Sequence, residues 1–218
     1  MKKTEKITFI IDTLAALYPN AACCLTYNKP YELLIATRLS AQCTDARVNM
    51  VTPALFEKYP TLESFAAADF EELCGMIHSC GFYRGKAKSI IEMSRALLER
   101  HDGILPDTIE ELTKLSGVGR KTANLIVGDI YGKPAVIADT HCIRISNRLG
   151  LTTSDRPEVV ERQLKKSIPP KHQTQLCHDL VFFGRDRCKA RNPLCDGCPL
   201  QSACLYYGKT VTKEKDHK

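Results

Sequence analysis

Residues 188–204 read CKARNPLCDGCPLQSAC, with Cys188, Cys195, Cys198 and Cys204 separated by six, two and five residues. Four sulfurs crowded into seventeen residues, with proline and glycine between them, can converge on one metal centre. Thiolates suit both tetrahedral zinc and iron–sulfur clusters. Zinc motifs usually show two short cysteine pairs, and here only Cys195 and Cys198 make one. The long first gap and the Cys198-Pro199 step favour a [4Fe–4S] cluster, with zinc as the alternative and four free thiols as the remaining reading. All four ligands would come from the protein, leaving no open position, so the metal is expected to be structural. Lys189 and Arg191 fall in the first gap, and Arg185 and Arg187 precede it. A metal-pinned loop with these cations is either a solvated basic loop or a phosphate contact.

The other cysteines call for less. The chain has eleven in all, an odd number, and its start, MKKTEKITFI, carries three lysines with no apolar stretch long enough for a signal peptide. A disulfide framework is not expected. Cys23, Cys24, Cys43, Cys74, Cys80, Cys142 and Cys177 lie in apolar or helical surroundings and read as small hydrophobes. No apolar run approaches the ~20 residues of a membrane span, so a cytoplasmic location without membrane contact is expected. The net charge of +6 permits a polyanionic partner without requiring one.

Apolar residues recur at helical spacing almost throughout. Helices are expected over roughly 30–47, 69–78 and 85–100. In PDTIEELTKL, Asp107 precedes Glu110 by three residues as in a capping box, with Ile109, Leu112 and Leu115 on one face. SDRPEVVERQLKK gives a further start signal in Asp155, Pro157 and Glu158. Only PAVIA, residues 134–138, reads as extended, and one strand makes no sheet, so the fold class is all-α. Near Lys133-Pro134 the chain becomes richer in arginine and cysteine, which suggests a domain boundary there. The polar tail KTVTKEKDHK, residues 209–218, is expected to fray.

Between two of the helical patterns lies SGVGRKTAN, residues 116–124. Gly117 and Gly119 permit positive φ and a bare backbone, and amides leading into a helix N-terminus cradle an anion. Arg120 and Lys121 add charge. A plain helix C-cap and turn is the competing explanation. Lys121 falls opposite the stripe of Ala123, Ile126, Val127 and Ile130, facing either solvent or a groove. In VIADTHCIRISNRLG, Cys142, Ile145 and Leu149 mark a helix starting near Thr140, which Asp139 is placed to cap.

Taken together, LSGVGRKTANL, VIADTHCIRISNRLG, the C-x6-C-x2-C-x5-C spacing and LLIATRLSAQCTDARVN (33–49) resemble the endonuclease III family of helix-hairpin-helix DNA glycosylases. The likeness runs in order from about residue 15 to 207. It implies two helical lobes, a six-helix lobe at 23–133 and a cluster lobe formed by 1–22 with 134–218, with DNA in the cleft between them. It implies a monomer that acts on duplex DNA containing damaged bases or abasic sites, and a [4Fe–4S] cluster on the four cysteines. Lys121 would be the nucleophile that forms a Schiff base at the sugar, and Asp139 the carboxylate that assists it. Gln42 would fill the gap left by the flipped nucleotide, and Phe82, in SCGFYRGK, would be a second wedge where relatives often carry an aliphatic residue. His141 would reach a phosphate or simply belong to the helix start. A relative that removes adenine from mispairs usually lacks the lysine, and this chain has it.

Overall fold

The computed structural model describes residues 1–209, so positions 210–218 of the expected frayed tail lie outside the described residues. Its helices are α1 (Lys3–Leu17), α2 (Pro30–Ser40), α3 (Asp45–Lys58), α4 (Leu62–Ala66), α5 (Phe70–Ile77), α6 (Tyr83–His101), α7 (Ile109–Leu112), α8 (Arg120–Asp129), α9 (Thr140–Leu149), α10 (Pro157–Ser167) and α11 (Gln173–Asp186). Among the described residues there is no strand, and the fold is all-α. No helix among them is long and apolar enough to cross a membrane. The chain divides into two compact units, Cys23–Lys133 and Met1–Ala22 with Pro134–Lys218.

In the Cys23–Lys133 unit, α6 is the longest helix. Ala87, Ile90, Ile91, Ser94 and Leu97 are buried along one face at helical spacing. That face packs against α4 and α5, where Phe65 and Leu73 are fully buried. Burial of such side chains stabilises by about 1.5–3 kcal/mol each. The unit has seven α-helical segments, α2–α8, of which α4 and α7 are short, at five and four residues.

The single helix expected over 30–47 is two helices. It stops at Ser40, and α3 begins at Asp45 because the Thr44 hydroxyl accepts a hydrogen bond from the Arg47 amide at 3.2 Å. α2 is buried around its circumference at Glu32–Thr37, α3 buries Val48, Thr52 and Leu55, and the two pack on each other, so apolar residues continue on both sides of the break. The cap of α7 also differs from expectation. Thr108 accepts the Glu111 amide at 3.3 Å, one residue later than the expected capping box. Asp107 instead receives a hydrogen bond from Lys133.

In the second unit, α1 buries Ile7, Ile10, Ile11 and Leu14 and packs on α11, which also packs on α9. Residues 134–138, expected to be extended, belong to no helix or strand, and Ala135–Ala138 are buried. Pro157 opens α10 as expected, but Asp155 caps nothing there and accepts from the Asn147 amide group at 3.0 Å.

Candidate hairpin, capping aspartate and cluster loop

The short helix α7, the turn 113–119 and α8 form a helical hairpin. Its two glycines do different work. Gly117 has φ +74°, and a Cβ there would come within 2.6 Å of Arg38 Nε and 2.9 Å of Ser89 Cβ. Both conformation and packing therefore require glycine at 117. Gly119 caps α8 with φ −89° and ψ 171°, which any residue adopts, and a Cβ there would meet nothing within 4 Å. The expected positive φ holds for Gly117 and not for Gly119. The bare backbone at 119 opens outward, at the positive end of the α8 dipole. Arg120 and Lys121 are the first two residues of α8 and are exposed, whereas Ala123–Gly128 are buried. Ser116 steadies the turn by donating to Glu92 Oε2 at 2.6 Å.

Asp139 stands at the N-terminus of α9. Its Oδ1 accepts the Cys142 amide at 2.7 Å, which is the cap expected there. Its Oδ2 takes no hydrogen bond from the described residues. The helix is seated by Cys142, Ile145 and Leu149, all buried. Half-buried His141 lies one turn before Arg144, whose Nη2 is 3.2 Å from His141 Nδ1.

Gln42 and Phe82 share an unusual backbone. Both are non-glycine residues in the left-handed region, at φ +56° and +48°. Both are exposed, and Phe82 keeps 73% of its accessible surface. An exposed phenyl ring held in a disfavoured conformation is a feature that folding alone does not ask for.

The four cysteines Cys188, Cys195, Cys198 and Cys204 line one cavity of about 30 Å³ with Phe183 and Leu200 among its walls. Burial, then the neighbouring cysteines Cys204, Cys188 and Cys198, push the Cys195 thiol up. Burial raises Cys198 as well, against a backbone amide from Leu200. Four sulfurs gathered around one apolar cavity fit a cationic core that thiolates would neutralise. Among the described residues no group of three or more His, Cys, Asp or Glu side chains is arranged for a metal ion. In a [4Fe–4S] cage each iron takes one thiolate, so the ligands surround the cage rather than meet at a point. N–H donors complete the fit: Arg148 Nη1 lies 3.3 Å from Cys188 Sγ and the Tyr207 amide 3.4 Å from Cys204 Sγ.

The loop is fastened from α9. Arg148 donates to the carbonyls of Lys189 and Ala190 at 2.7 and 3.0 Å, and Arg144 to that of Cys188 at 3.0 Å. Sequence reasoning missed these two arginines. Their four-residue spacing puts them on one helix face, but nothing local says which carbonyls they meet. It also missed Arg38, which lies under Gly117 from a distant helix, its buried Nε without a hydrogen-bond partner. Lys189 and Arg191 are exposed on the loop.

Comparisons with known proteins agree with this geometry. Residues 35–170 match the HhH-GPD superfamily of base excision DNA repair proteins, and residues 188–204 match the iron–sulfur binding domain of endonuclease III. Endonuclease III of Bacillus subtilis (strain 168) is 44% identical over 205 residues, 94% of each chain. That of Synechocystis sp. (strain ATCC 27184 / PCC 6803 / Kazusa) is 46% identical over 203 residues, 93% of each. A solved structure of a trapped endonuclease III–DNA covalent intermediate, an estranged-adenine complex, superposes with a TM-score of 0.90 at 44% identity, covering 97% of this chain and 100% of that one.

Proposed function

The chain belongs to the endonuclease III family of HhH-GPD base excision repair proteins, and from that premise we propose how its own residues carry out the reaction. The protein is a DNA glycosylase with abasic-site lyase activity and a [4Fe–4S] cluster. We take its substrate to be an oxidised pyrimidine in duplex DNA and its working form to be a cytoplasmic monomer. Cys188, Cys195, Cys198 and Cys204 hold the cluster, whose role when bound is to pin the loop that carries Lys189 and Arg191.

Lys121 is the nucleophile. Its neutral amine attacks the sugar C1′ of a nucleotide flipped from the stack, and the bond from C1′ to the base breaks. The base leaves with its electron pair and takes up a proton. The amine loses its protons as the sugar ring opens, giving an imine between Nζ and C1′. Loss of a C2′ proton then expels the 3′ phosphate and nicks the strand. Asp139, as an anion, stabilises the positive charge that develops at the sugar and passes protons. The hairpin amides around Gly117 and Gly119, with Arg120, take a backbone phosphate. His141 and the loop cations take others, and Gln42 and Phe82 enter the duplex.

The observation that carries this reading is the setting of Lys121. It is an exposed amine on the first turn of α8, two residues after a glycine whose missing side chain serves nothing inside the protein. Borohydride trapping on duplexes with one abasic site or one thymine glycol tests it. Wild type should form a covalent adduct and Lys121→Ala none. Asp139→Asn should bind but trap roughly 10²-fold more slowly. An adduct that persists in Lys121→Ala would place the nucleophile elsewhere. Faster adenine release from an A·8-oxoguanine duplex than thymine-glycol removal would overturn the substrate class.

A further inference from the structure

Leu39 is the penultimate residue of α2, and Cys80 closes the short turn His78–Cys80 that precedes α6. The last carbonyls of a helical segment have no amide partner within it. At the end of α2 the Thr37 carbonyl accepts from the Ser40 hydroxyl at 2.9 Å, and the Ser40 carbonyl from the Cys43 amide at 3.0 Å. The Leu39 carbonyl is met from another helix. It accepts from Lys86 Nζ at 2.7 Å, and the same Nζ donates to the Cys80 carbonyl at 2.8 Å. Lys86 stands near the start of α6, and its backbone amide donates to the Phe82 carbonyl at 3.1 Å. One residue thus holds the end of α2, the turn before α6 and Phe82 itself.

Lys86 keeps only 1% of its accessible surface. Burying an ammonium is costly, and burial pushes this one down from the ordinary lysine range, with no carboxylate among the groups that act on it. Methionine would fill a similar space without that cost, so packing alone does not call for a lysine here. The two carbonyls it fastens lead directly to the two exposed left-handed residues. Gln42 follows Leu39 by three residues and has φ +56°; Phe82 follows Cys80 by two and has φ +48°.

We propose that Lys86 is a positioning residue whose ammonium ties the Gln42 loop to the Phe82 loop, so that both side chains enter the duplex as one rigid unit. This rests on the reading that Gln42 and Phe82 are DNA contacts. Two loops that had to be ordered separately on binding would each lose conformational entropy at that moment, whereas loops fastened to one buried donor have lost it on folding. Lys86 is buried away from the nucleotide, so its loss should fall on opening the duplex and spare the chemistry at Lys121.

The test is single-turnover borohydride trapping by cluster-loaded protein on one abasic site, placed either in a fully paired duplex or in an unpaired bubble that needs no opening. Urea midpoints and cluster absorbance check that each variant is folded. Lys86→Met, which cannot donate, should trap roughly 10- to 100-fold more slowly on the duplex and within about twofold of wild type in the bubble. With Lys86 intact, Gln42→Ala and Phe82→Ala should be coupled, the double variant trapping on the duplex at least about threefold faster than the product of the single effects. In the Lys86→Met background the two effects should simply multiply. Equal slowing of Lys86→Met on both substrates, or a wild-type duplex rate, would make Lys86 a packing residue and overturn the proposal. Coupling that survives Lys86→Met would do the same. So would effects that multiply with Lys86 intact, a measurement that stands even where Lys86→Met does not fold. Gln42→Ala and Phe82→Ala both trapping at the wild-type duplex rate would overturn the DNA contacts themselves, and the proposal with them.

Discussion

Gly117 and Gly119 are two residues apart and look alike in the sequence, yet the structure gives them opposite constraints. Gly117→Ala should cost about 2–3 kcal/mol, the sum of a left-handed residue with a side chain and an overpacked contact with Arg38 and Ser89. Gly119→Ala should leave stability within about 0.5 kcal/mol, because its backbone is ordinary and its Cβ meets nothing. Its effect should fall on DNA, as a methyl group set between the amides and a phosphate. Urea midpoints and duplex titrations of both variants check this. A stable Gly119→Ala protein with wild-type affinity would remove the hairpin phosphate contact. The sequence showed that a turn was needed but not which glycine served it. Arg38 reaches Gly117 from 79 residues earlier in the chain, a contact that no local pattern encodes. The positive φ of Gln42 and Phe82 was equally hidden, since neither residue type favours that conformation.

Among the elements, α9 combines two roles at one residue. Asp139 caps the helix through Oδ1, and the cap alone is a sufficient reason for an aspartate there. The two roles separate by substitution. Asn caps nearly as well as Asp, so Asp139→Asn should keep the melting transition while activity falls. Asp139→Ala should lose the cap and cost about 1 kcal/mol as well as activity. Thermal unfolding beside single-turnover kinetics distinguishes them, and equal activity loss with wild-type stability in both variants would mean that the cap contributes nothing. This helix was legible before the structure because its cap and its apolar stripe of Cys142, Ile145 and Leu149 agree. The α2–α3 break was not legible. Apolar spacing persists across Ala41–Thr44, and the decisive signal was a single threonine hydroxyl closing on Arg47. At α7 the competing signals were adjacent, and Thr108 took the cap while Asp107 turned to Lys133.

For the molecule as a whole, recognition of damaged DNA has to begin with charge, and a net charge of +6 does not say where that charge acts. The fold concentrates the question on a few side chains. Lys189 and Arg191 are exposed on a loop whose path is fixed by Arg144 and Arg148 through the carbonyls of Cys188, Lys189 and Ala190. A fixed loop loses little conformational entropy when its cations meet phosphate, unlike two lysines on a mobile surface. Each phosphate neutralised should contribute about 0.9 to the slope of log affinity against log salt concentration. Replacing Lys189 and Arg191 together by glutamine should therefore lower that slope by about 2, weaken binding equally for damaged and undamaged duplex, and leave the cluster absorbance intact. Arg120→Gln at the hairpin should lower it by about 1. A slope unchanged in the double variant would mean that the loop's charge only meets water, and the cluster would then hold α9 and the loop together without aiming them at DNA.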